Sequence, residues 1–180
     1  MTDRMPDLAF RLMAGTMAVK DALFPTVDRR VATFGVREGM TIVDYGCGPG
    51  RYTIRLAQLV GPAGRVYAVD VQELAIATVK RKMAKRRLAN VVPTVARGYD
   101  SGVPGEVADM VCALDMFFGL DEPTTFLREV RRIIKPSGTL ILDDGHQSRG
   151  TTLAKLHSAG GWRVTEETRD HLRCEPIPTS

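Results

Sequence analysis

Between Thr41 and Gly50 the chain reads TIVDYGCGPG: a short β-favouring run, an acid at Asp44, then glycine at three alternate positions, Gly46, Gly48 and Gly50. Glycine accepts backbone angles and close approaches that a Cβ forbids, so the spacing predicts a strand that runs into a loop pressed against a ligand. Arg65 to Asp70, RVYAVD, alternates like a second strand, follows the breaker-rich Gly61 to Gly64, and ends on a carboxylate. Arg51 to Val60 lies between them, with Ile54, Leu56, Ala57, Leu59 and Val60 placed for a short helix with one buried side. Strand, glycine loop, helix, strand and acid together make one parallel crossover unit, in which a strand-terminal carboxylate can take the hydroxyls of a ribose. Asp70 is the residue in that position.

The rest of the chain repeats the alternation. A helix is expected from Gln72 to Leu88 on the stripe Ile76, Val79 and Met83, then a third strand from Asn90 to Arg97, with Pro93 suited to a sheet edge. Ala108 to Leu114 is a nearly unbroken apolar run, as a strand buried on both faces requires. Phe126, Leu127, Val130, Ile133 and Ile134 recur at helical spacing until Lys135-Pro136-Ser137-Gly138, after which Thr139 to Leu142 reads as a fifth strand. A last helix over Thr151 to Ala159 precedes a hairpin built from Trp162 to Thr165 and His171 to Cys174. The fold class is therefore α/β: a Rossmann-like three-layer sandwich around a mostly parallel sheet of about seven strands with an antiparallel edge strand.

A dinucleotide fingerprint, G-x-G-x-x-G, would begin at Gly46 and need its third glycine where Arg51 stands. The pattern present, D-x-G-x-G-x-G, resembles motif I of the class I S-adenosylmethionine-dependent methyltransferases. That family's helix ending in K-P-x-G before an apolar strand is also similar to Lys135 to Leu142, so the resemblance extends over about residues 36 to 175. It implies S-adenosylmethionine as methyl donor, with Asp44 and the loop of Gly46, Cys47, Gly48 and Gly50 at its methionyl end. Asp70 is then implied on the ribose, and Val71 and Gln72 beside the ribose and adenine. Many small-molecule members place Gly-Asp after the third strand. Here the place reads Gly98-Tyr99-Asp100, so Asp100 by a one-residue shift, or Tyr99 by stacking or hydrogen bonding, is the implied adenine contact.

Methyl transfer from a sulfonium asks mainly for alignment and exclusion of water, so no fixed catalytic triad is expected. In an open parallel sheet the ligand lies beyond the carboxyl ends of the strands, which puts Asp115 and, after the fifth strand, Asp143, Asp144 and His146 on the reactive rim. Asp115 and His146 are the catalytic candidates, His146 because an imidazole ordinarily titrates near neutral pH. The competing account is that the Asp-Asp-Gly-His turn only ends a strand.

With 180 residues the chain is expected to form a single domain, a helical segment over 1–35 packed on a methyltransferase core over 36–180. Phe10, Met13 and Met17 follow helical spacing, as do Val27, Val31 and Phe34; the second set reads as packing, the first as a partial lid over residues 1–24. So small a cover leaves room for a homodimer to complete the pocket. Cys47, Cys112 and Cys174 form no C-x-x-C pair, which suggests neither a disulfide framework nor a metal site. No apolar run is long enough to span a bilayer, and Asp3, Arg4, Asp7 and Arg11 stand where a signal peptide needs apolar residues, so a cytoplasmic protein with no membrane partner is expected. The net charge of +4 comes largely from Lys80, Arg81, Lys82, Lys85, Arg86 and Arg87. Near a helix C-terminus these complement the dipole, and no aromatic is interleaved with them, which argues against nucleic acid. A small-molecule methyltransferase is the leading reading. An RNA methyltransferase and a cofactor-binding module without activity are the alternatives.

Overall fold

The computed structural model describes residues 5–24 and 26–178. Among them, β1 (Thr41–Tyr45), β2 (Arg65–Asp70), β3 (Val91–Val95), β4 (Ala108–Ala113), β5 (Ile134–Leu142), β6 (Trp162–Glu167) and β7 (Leu172–Pro176) form one sheet in the order β3-β2-β1-β4-β5-β7-β6. Strands β1 to β5 pair in parallel, while β7 runs antiparallel to both β5 and β6. The mixed sheet expected from the sequence is thus present. Its antiparallel strand is inserted beside β5, which leaves β6 outermost. Pro93 sits on β3, which pairs only with β2, so its missing N–H breaks no ladder.

The helices are α1 (Asp7–Leu23), α2 (Thr26–Ala32), α3 (Arg51–Val60), α4 (Glu73–Lys85), α5 (Pro123–Ile133) and α6 (Arg149–Ala159). Alternate residues of β4 serve opposite layers: Val111 and Ala113 pack with Phe126, Leu127 and Val130 of α5 and Leu156 of α6. Met110 and Cys112 pack with Leu56 of α3, Ile76 and Val79 of α4, Val31 of α2 and Phe34 just after it. Because both faces of the strand are covered, its sequence carries no polar alternation. Each such side chain contributes roughly 1.5–3 kcal/mol by leaving water.

Helix α5 starts with Pro123 in its first turn, where a missing N–H costs nothing, and ends one residue earlier than its apolar spacing suggests. Ile134 already pairs with Ala108, and Met110 pairs with Thr139, so Lys135 to Gly138 bulge out of the ladder opposite Asp109. The Asp109 carboxylate fixes this irregularity by accepting from the backbone N–H of Thr41 at 2.7 Å and from Lys135 Nζ at 2.6 Å. The stop signal at Lys135-Pro136-Ser137-Gly138 is real, but it ends a helix and bends a strand at once.

Candidate active site

The sheet order reverses between β1 and β4, and that is where a crevice opens in a doubly wound fold, because the connections from the two strands leave toward opposite faces. Asp44 pairs with Ala68 on one side and Cys112 on the other, so the strand ends are level. The residues after β1, β2 and β4 therefore meet in one place. A cavity of about 240 Å³ lies there, walled by Gly46 to Pro49, Asp70 to Gln72 and Leu114 to Met116.

The loop after β1 is held in a shape that side chains would prevent. Gly46 has φ +72°, and a Cβ on it would lie 2.9 Å from Met116 Cγ. Gly48 has φ +51°, but a Cβ there would meet no heavy atom within 4 Å. One glycine admits a close neighbour. The other keeps the cavity floor bare for a ligand.

Asp70 ties this floor to β2. Its Oδ2 accepts from the Gly48 N–H and its Oδ1 from the Gln72 N–H, both at 2.8 Å. Burial pushes its carboxyl up from the ordinary value, while the N–H groups of Gln72, Gly48 and Val71 oppose the shift. Each oxygen keeps a lone pair beyond these bonds, so the residue can pin the loop and still accept from a diol.

Asp44 lies deeper, 2 % exposed, and accepts a short hydrogen bond from Thr53 Oγ1. Desolvation, with a smaller contribution from the neighbouring Asp70 charge, pushes its carboxyl up to about 7 against the bond from Thr53. A carboxyl whose folded pKa is raised favours the folded state when protonated, so its stabilising contribution is complete below about pH 4 and is lost as pH rises through 7. Asp44→Asn is therefore expected to gain stability relative to the parent as pH increases from 4 to 8, by about 4 kcal/mol at most. Urea unfolding of both proteins across that range measures the difference, and parallel pH profiles would contradict the assignment.

Over the cavity lies α1, whose Phe10, Met13 and Met17 line the wall opposite the glycine loop. Gln72 latches its first turn: Nε2 donates to the Met5 carbonyl at 3.0 Å and to Asp7 Oδ1 at 3.2 Å. Gln72 Oε1 is buried without a hydrogen-bond partner among the described residues.

A charged rim closes the mouth. Arg30 donates to Tyr52 Oη and to Asp143 Oδ2, each at 2.7 Å, and Asp143 Oδ1 accepts from the backbone N–H of Asp115 at 2.9 Å. This last bond holds Asp115 at φ +57°, a conformation rare for a residue with a side chain and common at functional sites. Arg51 is locked by two bonds to Asp21 of α1, at 2.7 and 2.6 Å. The Asp115 carboxylate then sits 4.0 Å from Arg30 and 3.7 Å from Arg51, 43 % exposed. Both guanidinium groups lie over the Tyr52 ring, at 5.6 and 5.7 Å from its centre.

Of the residues singled out in the sequence, Gly46, Cys47, Gly48, Asp70, Val71, Gln72 and Asp115 reach this cavity. Asp44 and Gly50 support it from beneath; a Cβ on Gly50 would lie 2.9 Å from Val79 Cγ2 of α4. Tyr99 and Asp100 do not line it. Tyr99 accepts at its carbonyl from Tyr45 Oη and at its hydroxyl from the Glu122 N–H, while Asp100 caps the N–H of Gly102 in a tight turn. His146 is also outside: the chain reverses at Gly145, φ +55°, and the exposed imidazole stands edge-on to Phe118 at 4.8 Å. Of the expected lid, Met1 to Arg4 lie outside the described residues. Arg30, Arg51 and Tyr52 were not anticipated as site residues. One signal was available, since an arginine in the first turn of α3 opposes the helix dipole and calls for acidic neighbours.

A family model described as a methyltransferase domain matches residues 36–170. A crystal structure of an S-adenosylmethionine-dependent methyltransferase from Aquifex aeolicus is similar, with TM-score 0.79 and 28% identity over 84% of this chain and 89% of that one. Demethylmenaquinone methyltransferase of Geobacillus sp. (strain WCH70) is 30% identical over 106 residues, covering 59% of this chain and 45% of the relative. The catalytic subunit TRM61 of the tRNA (adenine(58)-N(1))-methyltransferase of Yarrowia lipolytica is 30% identical over 102 residues, 57% of this chain and 26% of the relative. The chain thus spans less than half the length of these two curated relatives. The match across most of the chain, joined to the strand order and the glycine loop, shows that it belongs to the class I methyltransferase family whose methyl donor is S-adenosylmethionine.

Proposed function

We propose that this chain transfers a methyl group from S-adenosylmethionine to a small, largely apolar acceptor held between α1 and the rim at Tyr52 and Asp115. The observation that carries the reading is a single cavity with the glycine loop and Asp70 on one wall and the methionine-bearing face of α1 on the other. In this reading Asp70 accepts from the ribose hydroxyls, Val71 and Gln72 flank the adenosine, and Gly46 to Gly48, Cys47 included, pass beneath the methionyl end. Asp44 and Gly50 keep that loop rigid from below. Helix α1 acts as the lid, its methionines filling around an acceptor of irregular shape.

When bound, the donor supplies a methyl already activated by its sulfonium, so the chain's task is to align an attacking lone pair and keep water out. Alignment can lower a barrier by roughly 7–11 kcal/mol in favourable cases. Asp115 accepts from an O–H or N–H of the acceptor and so orients its lone pair. Asp115→Asn is expected to lower kcat roughly tenfold or more while leaving cofactor affinity within about twofold. Its ion pairs are long and half exposed, so little stability should be lost with them. An unchanged kcat would remove Asp115 from the mechanism.

The demethylmenaquinone methyltransferase relatives support a small-molecule acceptor. A second reading, RNA, is favoured by the TRM61 relative and by the basic end of α4. Transfer of labelled methyl from S-adenosylmethionine to a panel of phenols and quinols, set against total RNA, separates the two. Transfer confined to RNA would overturn the small-molecule reading.

A further inference from the structure

Helix α1 is apolar on two opposite faces. Phe10, Met13 and Met17 turn inward to the cavity, whereas Leu8, Leu12, Val19 and Leu23 are exposed by 71, 64, 61 and 68 %. At helical spacing these four fall within about 60° of one another around the axis, on the side away from the cavity. Six of the nine exposed large apolar side chains among the described residues lie between Met5 and Phe24. An uncovered apolar stripe of this length marks a contact surface.

The charges around the stripe say what kind of surface covers it. Both acids of α1 are turned to the protein, Asp7 taking the Gln72 amide and Asp21 holding Arg51. Its cations, Arg11 and Lys20, are exposed and flank the stripe on either side. Beside the second half of α1, Lys82 of α4 and Arg86 just past its end share a cleft with Ala18 and Phe24, in which the acids Asp21 and Asp28 are already paired with Arg51 and Arg55. The outward half of α1 is thus apolar with positive edges and no acid. Pairing two copies through this stripe would set Arg11 against Arg11, or Arg11 against Lys20, with no acid on that half to neutralise them.

We propose that α1 docks on an anionic lipid surface, with Leu8, Leu12, Val19 and Leu23 at the boundary of headgroups and acyl chains and Arg11, Lys20, Lys82 and Arg86 toward the lipid phosphates. This is the arrangement of a helix that lies in the membrane interface. No helix among the described residues is long and apolar enough to cross a membrane, so the contact is peripheral. The same helix roofs the cavity, which would put the site's mouth at the lipid surface. The docking face stands whether or not the proposed acceptor is correct.

Vesicle flotation of the full chain tests it, with phosphatidylcholine alone and with about 30 % phosphatidylglycerol added. Partition onto the anionic vesicles is expected, weakening as salt is raised because exposed charges are screened. The combined variant Leu12→Ser, Val19→Ser, Leu23→Ser should lower that partition roughly tenfold or more, and so should Arg11→Glu with Lys20→Glu. Calorimetric binding of S-adenosylhomocysteine without vesicles shows whether each variant keeps an intact site. No partition onto anionic vesicles, or undiminished partition of folded variants, would overturn the proposal. So would a stable dimer in sedimentation that the serine variant dissolves, which would assign the face to a second copy.

Discussion

Asp70→Ala should weaken S-adenosylmethionine binding by roughly 1–3 kcal/mol, because ribose hydroxyls would enter the cavity without an acceptor. In dissociation constants that is roughly five- to 150-fold. The structure adds a second route to the same loss. The carboxylate also receives the N–H groups of Gly48 and Gln72, so the alanine variant leaves two donors unpaired and holds the glycine loop to β2 only by the Gly46 and Cys47 N–H groups on the Val69 carbonyl. Asp70→Asn restores one oxygen and turns an NH2 toward the other donor, and is expected to fall between alanine and the parent. Calorimetric titration of all three proteins, with their unfolding curves, separates direct contact from loop support. Equal affinity in the folded alanine variant would refute the assignment of the ribose position.

The second large effect is expected at Asp143, a residue 4 % exposed that does not itself line the cavity. Burial pushes its carboxyl up, and the bond from Arg30 pulls it back down. Asp143→Ala removes the partner of a mostly buried guanidinium and the acceptor that holds the Asp115 backbone at positive φ. Breaking a fully buried pair costs about 3–5 kcal/mol; with the Arg30 side chain still 19 % exposed, the lower end, about 3 kcal/mol, is expected. For a chain of this length that is roughly a 6–12 °C fall in Tm. Scanning calorimetry measures it, and a fall under about 2 °C would mean that Arg30 finds water or another acceptor without loss. Turnover should fall as well, since Asp115 is no longer held at the rim.

These two aspartates show how unevenly the sequence discloses the site. The place of Asp70 beside the glycine loop is legible because it depends on one local crossover: the strand that ends in it follows that loop by a helix and a turn, and its partners Gly48 and Gln72 belong to the same unit. Asp143 was readable only as a rim residue. Its partner Arg30 stands 113 positions away, in a helix read as packing. His146 and Asp100 lie off the cavity for the converse reason. Each sits one turn past a strand end, as the fold demands of a site residue, yet a left-handed glycine at 145 and an Asx-type turn at 100 carry them off the cavity.

The element order, the two-sided core strands and the glycine loop with its strand-terminal acid follow from residue types at short separation. Periodicity, turn chemistry and a missing Cβ act over a few residues, so they are written locally in the chain. What the tertiary structure alone decided is the charged rim of the cavity. It pairs Arg51 with Asp21 of the helix read as a lid, and gathers Arg30, Tyr52, Asp115 and Asp143 from four separate segments into one charged rim. Such contacts depend on how packed layers bring distant segments together, and no local pattern encodes a distance between them.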